Sequence, residues 1–239
     1  MSARLYFALV AGLCLSGISA CDSTQSPEAQ TPAATAITAA IPADTSPALA
    51  VTENPAPVES FLLDMAVKPG DTLASLRKQY GEANVIEGEL PGAEGETAQG
   101  WIIFPKDPEK KLMIYTDESN SHPGSLLVDE ANSKWHLSNS VKLGSDSKTL
   151  QSLNKKPFTF YGFYWDYGGV ITEWNGGALS KKTANGSQIN IHLCPPEDPT
   201  LPDNYLSGDG TFNSDNPLAV KFPPVVCQLG VYFPVEENK

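Results

Sequence analysis

Two carboxylates, Asp166 and Glu173, sit among tryptophan, tyrosine and asparagine in the run WDYGGVITEWNGG, residues 165–177. That set of side chains suits two kinds of chemistry. A carboxylate pair about 5–9.5 Å apart can cleave a glycosidic bond, one group as acid and the other as nucleophile or base. Rings left in solvent can instead stack on a sugar or dock a protein, while acids and an amide hydrogen-bond it. The surface this second reading assembles is Tyr161, Trp165, Asp166, Tyr167, Glu173, Trp174 and Asn175. A third account needs no ligand. Gly168-Gly169 makes a two-residue hairpin loop, because glycine accepts positive φ freely. Tyr167 then faces Val170, Phe163 faces Trp174, and Asp166 bonds the turn amides. Residues 158–167 carry rings on both faces: Phe158, Phe160 and Tyr164 on one, Tyr161, Phe163, Trp165 and Tyr167 on the other. A half-buried antiparallel sheet leaves its second face polar. Such a hairpin is therefore either covered on both sides or displays an aromatic patch.

Other reactive constellations are weak. There is no Gly-x-Ser-x-Gly, no His-Glu-x-x-His and no P-loop. His122, His136 and His192 are scattered and do not suggest zinc. Asp203, Asp209, Asn213 and Asp215 offer oxygen ligands among glycines, but their spacing is not that of an EF-hand. This stretch reads as a solvated turn. Acids beside turns are common, so no catalytic residue is assigned, and no metal or cofactor is expected.

The N-terminus, MSARLYFALVAGLCLSGISAC, has a short basic start, an apolar stretch too short to span a bilayer, and small residues before Cys21. Ile18-Ser19-Ala20-Cys21 resembles the lipobox of bacterial lipoproteins. The resemblance implies a signal peptide over residues 1–20, cleavage before Cys21, and acylation of Cys21 by palmitate-like chains. Each buried methylene contributes about 0.8 kcal/mol, so several chains together hold a protein on a membrane. The soluble part would then face the periplasm from the cell envelope. Asp22 resembles an inner-membrane retention signal. Residues 21–60 are rich in Ala, Thr, Pro and Ser and read as a disordered tether with a reach on the order of 35 Å.

Residues 61–239 carry all the tryptophans and most other aromatics, enough for one domain with a real core. The formal net charge of −12 disfavours nucleic acid. With Cys14 in the leader and Cys21 acylated, Cys194 and Cys227 are left together in an oxidising compartment. They are expected to form a disulfide, closing a loop of about 33 residues and contributing roughly 3–4 kcal/mol. Their strands should lie side by side or on facing sheets.

Strand signals dominate, over 101–104, 111–115, 124–129, 135–143, 158–165, 170–174, 188–193, 218–222 and 225–233. Two short helices interrupt them, one after the cap Asp71 with Leu73 and Leu76 on a face, one after 145–147 with Leu150 and Leu153. VKPGDTLASL and VKLGSDSKTLQSL share a pattern, so the domain reads as two related halves, 61–132 and 133–239. The expected fold is α+β, mostly antiparallel sheet. Leu153-Asn154-Lys156-Pro157-Phe158, the run 162–169 and Trp174 to Gly177 resemble an uncharacterised family of exported bacterial proteins. SGDGTFNSDNP at 207–217 fits the same family. The helix pattern is more weakly similar to the tandem repeat of the β-lactamase-inhibitor-protein fold, whose members bind proteins. Together these readings predict a lipid-anchored, non-catalytic binding module for an envelope protein or a cell-wall component. A glycan hydrolase using Asp166 and Glu173, and a passive structural lipoprotein, are the competing expectations.

Overall fold

The computed structural model describes residues 60–92 and 95–234. The expected leader, Cys21 and the tether up to residue 59 lie outside the described residues.

Among the described residues four α-helices and nine strands form in chain order. They are α1 (Leu63–Ala66), α2 (Leu73–Tyr80), β1 (Val85–Pro91), β2 (Thr97–Ile103), β3 (Leu112–Thr116) and β4 (Pro123–Val128), then α3 (Ser147–Asn154), β5 (Thr159–Tyr161), β6 (Ile171–Glu173), β7 (Gln188–Cys194), β8 (Thr211–Asn213), α4 (Pro217–Lys221) and β9 (Val225–Tyr232). The first four strands make a meander. β9 then adds beside β4 and β7 beside β9, giving a sheet ordered β1-β2-β3-β4-β9-β7. A second sheet is ordered β6-β5-β8. Every named strand pairing is antiparallel. The fold is α+β and mostly antiparallel sheet.

The larger sheet buries one face through residues two apart along its strands. Trp101 and Ile103, Leu112 and Ile114, Leu126 and Val128, Ile191 and Leu193, Leu229 and Val231 are each at most 1% exposed. They share one cluster with Leu76 and Tyr80 of α2, Leu150 of α3, and the rings of Phe158 and Phe160. A leucine such as Leu76 or Leu150 contributes about 2 kcal/mol by leaving water. Both eight-residue helices start on side-chain caps: Thr72 Oγ1 accepts from the Ser75 amide and Asp146 Oδ1 from the Thr149 amide. The two helices lead into different structures. After α2 the chain lays down four neighbouring strands, whereas after α3 it moves between the sheets, with β5 and β6 in the small one, β7 in the large, β8 in the small and β9 in the large. At the outer end of the large sheet, β1 carries exposed Glu87 and Glu89 on the side where Val85 is buried, and ends at Pro91.

Several expectations need correction. The 218–222 stretch is no strand, since residues 218–221 belong to helix α4 and Phe222 caps it: Asn216 Oδ1 accepts from the Leu218 amide and Pro217 opens the helix. Residues 135–143 form no strand. His136 makes isolated bridges to Leu62 and Lys142, and Leu137 and Val141 close a turn. The 158–165 strand is cut to β5. The Asp-rich stretch is more than a turn, since it contains β8, which pairs with β5. The sequence reading also missed β1 and α1.

Cys194 and Cys227 are bonded, with Cα atoms 5.7 Å apart. Their strands lie side by side. Between His192 and Leu193 the β7–β9 register shifts, so Cys194 pairs with Val225 and Leu193 with Val226. The bulge leaves Cys227 free to reach across to its partner.

A candidate binding surface on the 162–169 loop

Gly168-Gly169 does not close a two-residue hairpin. β5 and β6 pair through Thr159 and Glu173, then Phe160 and Ile171, with an irregular register between. Beyond Tyr161, whose amide donates to the Val170 carbonyl at 3.0 Å, the chain swings out through residues 162–169. Phe163 therefore does not face Trp174. It turns inward, 2% exposed, and stacks on Tyr205 with centroids 5.6 Å apart and planes 12° apart. Its amide donates to the Leu206 carbonyl at 2.8 Å. Tyr205 is itself buried and donates its hydroxyl to the Phe222 carbonyl. Burial pushes that phenol's pKa up.

Beyond Phe163 the rings point outward. Tyr164 is 64% exposed, Trp165 61%, Tyr167 70% and Tyr161 39%. Asp166 lies exposed between the rings. Tyr164 and Tyr167 adopt positive φ, 68° and 60°. Such angles disfavour a residue with a Cβ, at roughly 1–3 kcal/mol each, and they gather at functional sites. Neither ring gains burial in exchange.

The base of the loop is fixed. The Gly168 amide donates to the Trp165 carbonyl at 2.9 Å and the Val170 amide to Tyr167 at 3.1 Å. The Gly169 amide donates to Tyr161 at 2.9 Å, and the Gly169 carbonyl accepts from the Leu193 amide at 2.8 Å. Gly169 has φ 87°, and a Cβ placed there would lie 1.9 Å from the Leu193 carbonyl oxygen. Only glycine lets the loop approach β7 so closely. His192 of β7 places Nε2 on the Gly168 carbonyl, and its Nδ1 lies 3.3 Å from Gln228 Oε1. The loop thus rests on the strand that the disulfide ties to β9.

The remaining members of the expected surface are placed apart. Glu173 is exposed on β6, opposite Thr159. Trp174 is half-buried against Phe158, centroids 5.3 Å apart. Asn175, with φ 52°, donates to the Pro157 carbonyl at 3.1 Å and Thr159 Oγ1 at 3.3 Å. Trp174 and Asn175 therefore build the far end of the β5–β6 ribbon. Asn154, fully buried, links that end to α3. Its Nδ2 donates to the Lys156 and Trp174 carbonyls, both at 2.9 Å, and its Oδ1 accepts from the Leu179 amide at 3.0 Å. Gly177 is needed there, since a Cβ would fall 2.1 Å from Asn154 Oδ1.

Asp166 hangs from the loop and Glu173 lies on the ribbon, both exposed. Asn213 accepts from Thr159 Oγ1 at 3.1 Å, while Asp203, Asp209 and Asp215 are exposed. Among the described residues no group of three or more His, Cys, Asp or Glu is placed to hold a metal ion. No helix among them is long and apolar enough to cross a membrane. The roles of His192, Phe163 and Asn154 were not read from the sequence. The alternation of His192 with core residues Ile191 and Leu193 gave no sign of a loop above it. No family model, curated protein or solved structure matches the chain.

Proposed function

We propose that this chain is a lipid-anchored, non-catalytic binding module of the bacterial cell envelope, and that the 161–167 loop contacts a glycan of the cell wall. One observation carries the reading: three rings, Tyr164, Trp165 and Tyr167, stand more than 60% exposed on a loop whose base is fixed to β7. Exposed apolar rings grouped on a rigid support mark a contact surface. Ring faces stack on the C–H faces of sugars, and Asp166 between them offers acceptors for hydroxyl groups. Fixing the loop in advance removes ordering cost from binding. The lipobox-like Ile18-Ser19-Ala20-Cys21 supplies the anchor and the compartment. A hydrolase would need two converging carboxylates, and the exposed settings of Asp166 and Glu173 favour binding over cleavage.

The test is co-sedimentation of the full-length chain with purified cell-wall sacculi. Replacing Trp165 and Tyr167 with Ala should weaken pelleting by about tenfold or more, as truncated aromatic contacts do, with an unchanged melting temperature. Wild-type protein that stays in the supernatant, or variants that pellet equally, would refute the glycan contact. In cells, Cys21→Ala should move the protein out of the membrane fraction, and unchanged fractionation would reject the anchor.

A further inference from the structure

At the opposite end of the β5–β6 ribbon from the aromatic loop lies an open cavity of about 600 Å³. Helix α3 forms one wall with Lys148, Gln151, Ser152 and Lys155, spaced so that they share a face. Lys156 and Pro157 continue that wall after Lys155 ends the helix with φ 64°. Ser214 and Val220 close the other side, one beside β8 and one on α4.

The lining is unusual for this chain. The protein has 28 acidic and 16 basic residues, yet three lysines line this cavity and no carboxylate does. Among the described residues, none of the three lysines has a carboxylate within ion-pair distance. Lys156 Nζ only donates to the Asn175 carbonyl at 3.3 Å. The C-terminal dipole of α3 offsets on the order of half an elementary charge, which leaves a net positive field. The polar lining also consists largely of donors. Ser214 Oγ donates to Gln151 Oε1 at 2.6 Å, and the Gln151 amide N–H groups remain as donors. The Phe158 amide donates to Ser214 Oγ at 3.0 Å, which holds that hydroxyl in place.

Ammonium groups and amide N–H facing one space suit an anionic acceptor. The charges are all lysine. Lysine acts as a point charge and is a common phosphate binder, without the bidentate fork by which arginine matches carboxylate and phosphate alike. The volume exceeds what a bare ion needs and falls in the range of small-molecule sites. We propose that this cavity binds a phosphate group, carried as an ester on a small polyol or sugar. The site is independent of the aromatic loop.

The test titrates the ¹⁵N-labelled full-length chain with glucose 6-phosphate, inorganic phosphate and glucose, following amide shifts in the NMR spectrum. Glucose 6-phosphate should shift Lys148, Lys155, Lys156 and Ser214 saturably, glucose should not, and added salt should weaken the effect. The Lys148→Gln/Lys155→Gln/Lys156→Gln variant should lose at least about tenfold in affinity, since each charge-assisted contact is strong. Its melting temperature should hold, because all three side chains are exposed. Trp165→Ala should bind as the wild type does. Tighter binding of the ester than of inorganic phosphate supports the ester. Equal binding of the two overturns the ester and leaves a site for the free ion. No saturable shift with either phosphate, or shifts that survive in the triple variant, overturns the site itself.

Discussion

Single side chains in this protein often act through the backbone they hold, and Asp117 shows it in the turn joining β3 to β4. Its Oδ1 accepts from the Ser121 amide at 2.8 Å, the Ser119 hydroxyl at 2.9 Å and the His122 amide at 3.3 Å. The Ser121 amide is the chief cause holding this carboxyl below its ordinary pKa of 3.8, with Ser119 and His122 adding to it. A depressed carboxyl contributes stability above its unfolded pKa and loses it as pH falls through the folded value. Asp117→Asn should therefore melt below the wild type at pH 7, and the gap should close as pH drops below about 4. Thermal melts of both proteins across that range check this; a constant gap would exclude the titration. At this scale the sequence was partly legible. The residue types at 161–167 left two outcomes open, a hairpin covered on both faces or an aromatic patch; the rings of Trp165 and Tyr167 are exposed, and so is Tyr164, which alternation put on the other face. Trp174 read the same way but packs on Phe158. Nothing in its own neighbourhood separates the two cases, because its cover comes from a segment more than ten residues earlier.

At the scale of elements, propensity and tertiary context pull apart. The 218–222 stretch, LAVKF, looks like a strand by composition, yet Asn216 and Pro217 start a helix there. That cap signal was readable, and apolar and β-branched content outweighed it. β1 was missed for the converse reason: VIEGELP contains glycine, proline and two acids, and its strand exists because β2 pairs with it along its whole length. Gly168-Gly169 was read as a tight turn because glycine pairs commonly are. Here Gly169 instead permits a close approach to β7. Gly169→Ala should accordingly destabilise by about 2–4 kcal/mol, since both its dihedral and its clearance are incompatible with a Cβ. It should also detach the loop. A urea midpoint within error of wild type would show that the loop does not depend on that approach.

For the whole molecule, fold class was legible and topology was not. Alternating apolar residues identify strands, but only long-range pairing decides that β9 inserts between β4 and β7. The disulfide was readable from cysteine count and compartment, while the register shift that accommodates it was not. Replacing Cys194 and Cys227 with Ala should lower stability by roughly 3–4 kcal/mol, chiefly by freeing the unfolded chain. Because Leu193 holds Gly169, the same change should also speed proteolysis within 162–169. Cleavage of wild type and variant at equal rates would show that the bond does not brace the loop.

The placement of Glu87 and Glu89 on β1 has a bearing on crowding. An outermost strand presents unpaired amides and carbonyls that invite a neighbouring copy to zip on. Two like charges turned toward the side a newcomer would need to bury, with Pro91 at the strand's end, make that pairing unfavourable. Crowded copies would thus be disfavoured from pairing along this margin.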